Sequence, residues 1–134
     1  MGLIVDTNVF IQGERRGQSI DGSPWQDYGD TFISVVTLSE LLVGVHRADN
    51  ESRRVRRAAF VEAILSRVTV LDFTSEIARV HANLYATLAQ RGQLIGAHDL
   101  IIAATALRYG FPVLTSNLAE FQRVPGLQVW SLMP

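Results

Sequence analysis

Asp6 closes a short apolar run, Leu3-Ile4-Val5, at a place where a carboxylate needs a partner. A charge taken out of water without one is costly. Neither a cap nor a turn accounts for an aspartate at the end of a strand, which leaves an arginine or a metal ion as its use. In open parallel α/β sheets, ligands bind beyond the carboxyl ends of the strands. The strand predicted at 112–114 leads into Thr115, Ser116 and Asn117 at that same edge. Helices of such folds begin there too, and two carry an acid in the predicted first turn: Glu40 after Thr37, and Asp99 ahead of Leu100. Four chain-distant segments thus bring oxygen ligands toward one place. Ligands of that kind suit a hard divalent ion, which keeps several waters and lowers the pKa of one.

Each acid also has a purely structural use. Thr37-Leu38-Ser39-Glu40 matches a capping box, in which Glu40 would bond back to the Thr37 backbone. Asp99 stands where an N-cap would precede an apolar helix. Asp6 resists such a reading, and separate caps would have no reason to converge on one sheet edge.

The elements that must position these residues follow from periodicity. A strand at about 2–6, a second apolar segment at 31–36, "VTVLDF" at 68–73, "FPVLT" at 111–115 and "LQVWSL" at 127–132 read as strands. Helices are predicted from Thr37 to His46, over 52–66, from Ser75 to Arg91 and from Asp99 to Tyr109. In the third, Ile77, Val80, Leu84, Tyr85 and Leu88 recur at helical spacing, with Gly92 as its stop; Gly110 closes the fourth. Residues 13–30 form a polar, glycine-rich excursion, with Ser23-Pro24 starting a short helix. Alternation of this kind predicts a three-layer α/β/α sandwich around a central, mainly parallel sheet of four to five strands, folded as a single domain over residues 1–134.

Composition removes several functional classes. The chain is 48% apolar and 19% charged, but no apolar run reaches the roughly 18 residues that a membrane span requires. The first strand starts too early to leave room for a secretion signal. Cysteine is absent, which removes disulfides, thiol catalysis and cysteine zinc sites and fits a cytoplasmic protein. All basic residues are arginine, so Schiff-base chemistry and a phosphate-gripping P-loop lysine are out of reach. At a net charge of −1 no overall basic field attracts nucleic acid. Binding one divalent ion would reverse that sign locally.

"VDTNVF", "TLSELLVGV", "GAHDLIIAATAL" and "LTSNLAEFQRVPGLQV", in this order along the whole chain, resemble the PIN-domain ribonucleases. More narrowly, they are similar to the VapC-type toxins of bacterial toxin–antitoxin pairs. The resemblance implies that Asp6, Glu40 and Asp99 hold Mg2+ or Mn2+, with Asn117 at a fourth position where other members have aspartate. An amide is the weaker ligand, so the resemblance leaves the number of ions open. The hydroxyls of Thr7 and Thr115 could orient a ligand or a phosphate, and these two with Ser116 are candidate substrate-binding residues. The implied reaction is endonucleolytic hydrolysis of RNA by metal-activated water, leaving 5′-phosphate and 3′-hydroxyl ends, in a homodimeric toxin neutralised by a cognate antitoxin.

Other residues keep two or more readings. His98 adjoins Asp99 and could touch substrate or merely cap; His81 falls on the apolar stripe of its helix; His46 is expected at the surface. Spacing does not make these three a zinc site. In "RRVRR" at 53–57, a helical wheel spreads the arginines over an arc of about 160° opposite Val55, with Phe60 one turn on. That face could be solvated, grip RNA phosphates or dock an acidic antitoxin segment. Trp25 and Tyr28 could stack a base, meet an antitoxin or cover the core. The rival functions are a PIN-like scaffold that binds RNA or protein without catalysis and a phosphatase of the haloacid-dehalogenase type. The latter, like a receiver domain, lacks its usual lysine here, and Asn8 stands where it would have a second aspartate.

Overall fold

A computed structural model describes residues 2–18 and 24–131. Five strands, β1 (Gly2–Val5), β2 (Asp30–Ser34), β3 (Thr69–Leu71), β4 (Val113–Leu114) and β5 (Val129–Trp130), form one sheet in the order β3-β2-β1-β4-β5. Every pairing is parallel. The predicted sheet is therefore present, and all of it is parallel.

Alternation along β1 explains the layers. Leu3 and Val5 point to one face, where helices α1 (Thr7–Arg15), α2 (Val35–His46) and α3 (Glu51–Leu65) cover them through Phe10, Leu41, Val61 and Ile64. Ile4 points to the other, against Leu84 and Leu88 of α4 (Ser75–Gln90) and Ile102, Ala103 and Ala106 of α5 (Ala97–Tyr109). A strand covered on both faces has no need of polar residues, which is why β1 reads as an unbroken apolar run. A short α6 (Leu118–Phe121) leads back to β5 and inserts Phe121 into the second core.

Several boundaries differ from the sequence reading. Helix α1 was not foreseen, because Thr7, Val9 and Phe10 are its buried residues and they supply barely one turn of apolar pattern. Helix α2 starts at Val35 and not at Thr37, since the Ser34 hydroxyl accepts from the Val36 amide at 3.2 Å and caps it there. A 3-10 helix runs over Pro24–Tyr28, as expected for the start at Pro24, while Ser23 lies outside the described residues. Helix α4 ends as its glycine predicts: Gly92 adopts φ 64°, its amide reaches the Ala89 carbonyl, and Gln93 reaches Leu88. Tyr85 is 50% exposed and lies off the buried stripe of Ile77, Leu84 and Leu88. Among the described residues no helix is long and apolar enough to cross a membrane.

Close packing at the base of β1 makes Gly2 irreplaceable. The rings of Phe32 and Phe111 stack at 4.9 Å, and a Cβ on Gly2 would come within 2.7 Å of one and 2.8 Å of the other. Gly2→Ala should therefore cost about 1–3 kcal/mol of stability, read as a lower urea midpoint with an unchanged slope.

Candidate active site

The strand order reverses between β1 and β4, so the crevice beyond their carboxyl ends is the switch point of the sheet. Pairing of Val5 with Leu114 sets Asp6 beside Thr115. The Asp6 amide donates to the Leu114 carbonyl at 2.9 Å, and the Thr115 hydroxyl donates to Asp6 Oδ2 at 2.7 Å. Asp6 occupies the N-cap position of α1 but makes no capping bond, and it is 2% exposed. Burial raises its pKa, as does the charge of Glu40, against the lowering effect of the Thr115 hydroxyl.

Glu40 sits in the second turn of α2, since the cap at Ser34 comes six residues earlier, and the capping box at Thr37 does not form. Its Oε1 accepts from the Thr7 hydroxyl at 2.8 Å, and His98 Nδ1 stands 3.6 Å away. Asp99 lies in the first turn of α5, where Gly96 and not Asp99 holds the N-cap position. Both structural uses proposed for these acids are therefore absent. Burial raises the Asp99 pKa most, followed by the charges of Asp6 and Glu120, a hydrogen bond to Glu120 and the charge of Glu40, up to about 7.

Glu120, in α6, is the acid that sequence reasoning missed. Its Oε1 accepts from the Gly96 amide and its Oε2 from Asn117 Nδ2. The Gly96 amide is the main cause that lowers its pKa, so in the pair with Asp99 the proton sits on Asp99. Asn117 at the end of β4 thus has its amide nitrogen engaged by an acid, and its backbone amide donates to Thr115 Oγ1 at 2.9 Å. The signal was available in Asn117-Leu118-Ala119-Glu120, where spacing i, i+3 puts both residues on one side of a short helix.

Thr7 and Thr115, expected to orient a ligand or a phosphate, direct their hydroxyls at acids of the site. Both are buried, and those acids are Glu40 and Asp6, so the two threonines orient carboxylates. Ser116 is exposed and accepts from Gln12 Nε2 at 3.2 Å. Trp25 is 3% exposed and meets Phe10 edge-on at 5.4 Å, and Tyr28 packs on Trp130, so Trp25 covers the core and offers no face to a base. His81 is half-buried against Phe73, and His46 is exposed as expected.

Asp6, Glu40, Asp99, Asn117 and Glu120 offer oxygen atoms only, a donor set that fits a hard cation such as Mg2+ or Mn2+. Among the described residues no three acids or histidines stand close enough together to hold an ion between them as they are placed. Glu40 and Glu120 are turned onto protein donors, as repulsion between uncompensated carboxylates dictates.

Comparison with known proteins gives the same frame. A PIN-domain family profile matches residues 3–127. Ribonuclease VapC1 of Rickettsia felis is 40% identical over 129 residues, 96% of this chain and 95% of that protein. The crystal structure of DNA-bound VapBC from Salmonella typhimurium matches with a TM-score of 0.86 at 31% identity, covering 98% of each chain. VapBC-5 from Mycobacterium tuberculosis, a member of the VapBC family of toxin–antitoxin systems, matches with a TM-score of 0.76 at 30% identity over 98% of each chain.

Folding raises the Asp99 pKa from 3.8 to about 7, so the native state holds this proton more tightly than the unfolded chain does. The stability tied to it is present below the unfolded pKa and is lost as pH rises through the folded one. Asp6, raised as well, adds to the same trend. In EDTA the melting temperature should fall from about pH 5 to about pH 8, and Asp99→Asn should flatten that fall and melt higher at the upper end. Parallel curves for the two proteins would sink the assignment.

Proposed function

The chain belongs to the PIN-domain family, in its VapC-type branch, and from that membership we propose that it is a divalent-metal-dependent endoribonuclease, the toxin of a toxin–antitoxin pair. The observation that carries the proposal is the unbalanced charge at the switch point: the strongest charges acting on Asp99 are those of other acids. Such a cluster serves a structure poorly unless a cation joins it.

Asp6, Asp99, Glu40, Glu120 and the Asn117 carbonyl would hold Mg2+ or Mn2+. When bound, the ion supplies a water of lowered pKa and a counter-charge for the phosphodiester. The protein's own contribution is positioning. Thr115 keeps one oxygen of Asp6 engaged and Thr7 does so for Glu40, which fixes how each carboxylate faces the crevice. Asp99 gives up the proton that it holds near neutrality, so ion affinity rises with pH until that proton is gone. Hydrolysis leaves a 5′-phosphate and a 3′-hydroxyl on RNA. Residues 1–134 make up one PIN domain that acts in the cytoplasm, pairs with a second copy and is silenced by a cognate antitoxin; the toxin–antitoxin relatives support that last assignment.

Asp6→Asn and Asp99→Asn should each reduce cleavage of RNA by more than about 100-fold while the circular dichroism spectrum stays unchanged. Full activity in either variant refutes the site. Mn2+ should raise the melting temperature of the unaltered chain and do so less for Glu120→Gln. A binding scaffold without catalysis, the rival reading, predicts no shift with Mn2+ in any of them.

A further inference from the structure

The arginines of α3 are the one motif that the acidic site does not use, and the structure divides them. Arg53 donates to both oxygens of Asp49, at 3.0 and 2.8 Å, and Arg54 pairs with Glu51. Arg57, half-buried, donates only to the neutral Gly44 carbonyl at 2.9 Å, and Arg56 has no carboxylate partner among the described residues. Two of the four cations are thus neutralised, one by Asp49 just ahead of the helix and one by Glu51 in its first turn. Two are not. Nor does Val55 anchor an inner face: it is 59% exposed, so the amino-terminal half of α3 stands in solvent.

Arg57 and Phe60 line two concavities at once. The narrower, about 180 Å³, runs from Glu40 past Leu41 and Ile11 to Arg57 and Phe60. The wider, about 380 Å³, continues from Phe60 and Arg57 to Arg56 and Arg53. They form one groove that starts at an acid of the site and ends among guanidinium groups. Glu14 lines both parts and is the counter-charge within it. Ile11, Leu41, Phe60 and Val61 make the narrower part apolar, and arginines dominate the wider part, where Phe60 is the one apolar side chain among the described residues. That alternation suits a single strand, whose bases cover apolar surface while its phosphates follow one edge. A guanidinium offers two parallel N–H donors to a phosphate, whereas at the acids every neighbouring phosphate is repelled.

The geometry points to Arg56 and Arg57 as the grip on the RNA backbone where the strand runs on from the bond to be cut. This assignment rests on the ribonuclease reading of the site and adds the direction in which substrate lies. The grip acts on phosphates, so it sets position along the strand and not base preference.

Fluorescence anisotropy of labelled oligouridylate with the full chain in EDTA, over a series of salt concentrations, tests it. For a single strand each lost phosphate contact reduces the slope of log K against log salt by about 0.7, so Arg56→Gln should show that change and Arg56→Gln/Arg57→Gln about twice it. Arg56→Lys should keep the slope. Oligocytidylate should respond as oligouridylate does. Arg56 is exposed and makes no hydrogen bond or ion pair among the described residues, and an unchanged circular dichroism spectrum of the variant separates lost grip from unfolding. An unchanged slope in the double variant overturns the proposal, and so does the absence of measurable RNA binding by the unaltered chain. Unchanged RNA affinity with weaker binding of polyglutamate would overturn it by assigning the face to an acidic protein. Failure of the ribonuclease reading shows separately, as no Mn2+-dependent cleavage by the unaltered chain while the slope still changes.

Discussion

The whole arrangement depends on keeping a buried carboxylate at the end of the central strand. Asp6 stays there because β4 runs beside β1: the Leu114 carbonyl takes its amide and the Thr115 hydroxyl takes one of its oxygens. A shift of register by one residue would turn Leu3 and Val5 to the wrong core and move Thr115 out of reach. The two helical layers, which fix that register from both faces, are thus the indirect holders of the site.

Around Asp6 the protein manages repulsion mainly with donors that carry no formal charge, the charge of Arg123 being the least of the causes that act on Glu120. Thr7 reaches Glu40, the Gly96 amide and Asn117 reach Glu120, and Asp99 keeps a proton. Arginine or lysine would have neutralised the cluster more firmly, but a cation built into the chain would also have closed the site to an exchangeable one. Neutral donors stabilise each carboxylate by a modest amount and leave the net charge in place. Glu120 also ties α6 to the loop ahead of α5, and Arg123 adds a bond to the Leu94 carbonyl, so the segment carrying Asp99 is clamped to the segment carrying Asn117.

The five strands of a parallel sheet were legible because strands buried on both faces leave continuous apolar runs, and α4 because a half-buried helix repeats its apolar residues; the short helices α1 and α6 were not. Convergence of Asp6, Glu40 and Asp99 on one edge followed from topology. What escaped was set by contacts between distant segments. The capping pattern at Thr37 was overruled by Ser34, which β2 delivers one turn earlier. The local spacing of Asn117 and Glu120 was readable, but the bond that ties Glu120 to the acidic cluster comes from the Gly96 amide, far away in sequence. Trp25 read as a surface aromatic within a polar stretch, and only Phe10 of α1 gives it a buried seat. On the helical wheel the α3 arginines were equivalent; their partners Asp49, Glu51 and the Gly44 carbonyl make them different.

A chain with a net charge of −1 and a crevice of carboxylates has an evident difficulty with a polyanion. Long-range attraction is missing, so affinity for RNA has to come from contacts within a Debye length, about 10 Å at moderate salt. Two sources of positive charge fit that range and are of different kinds. A divalent ion held by the acids, as proposed, would act where the bond breaks and would depend on pH through Asp99. Guanidinium groups at the far end of the groove act on phosphates that do not react and do not titrate. Separating the two allows the reacting end to stay anionic, and open to exchange of its ion, while the strand is held elsewhere. An acidic centre needs a basic outpost at some distance along the strand, and α3, exposed and half neutralised by Asp49 and Glu51, has the remaining charge to provide it.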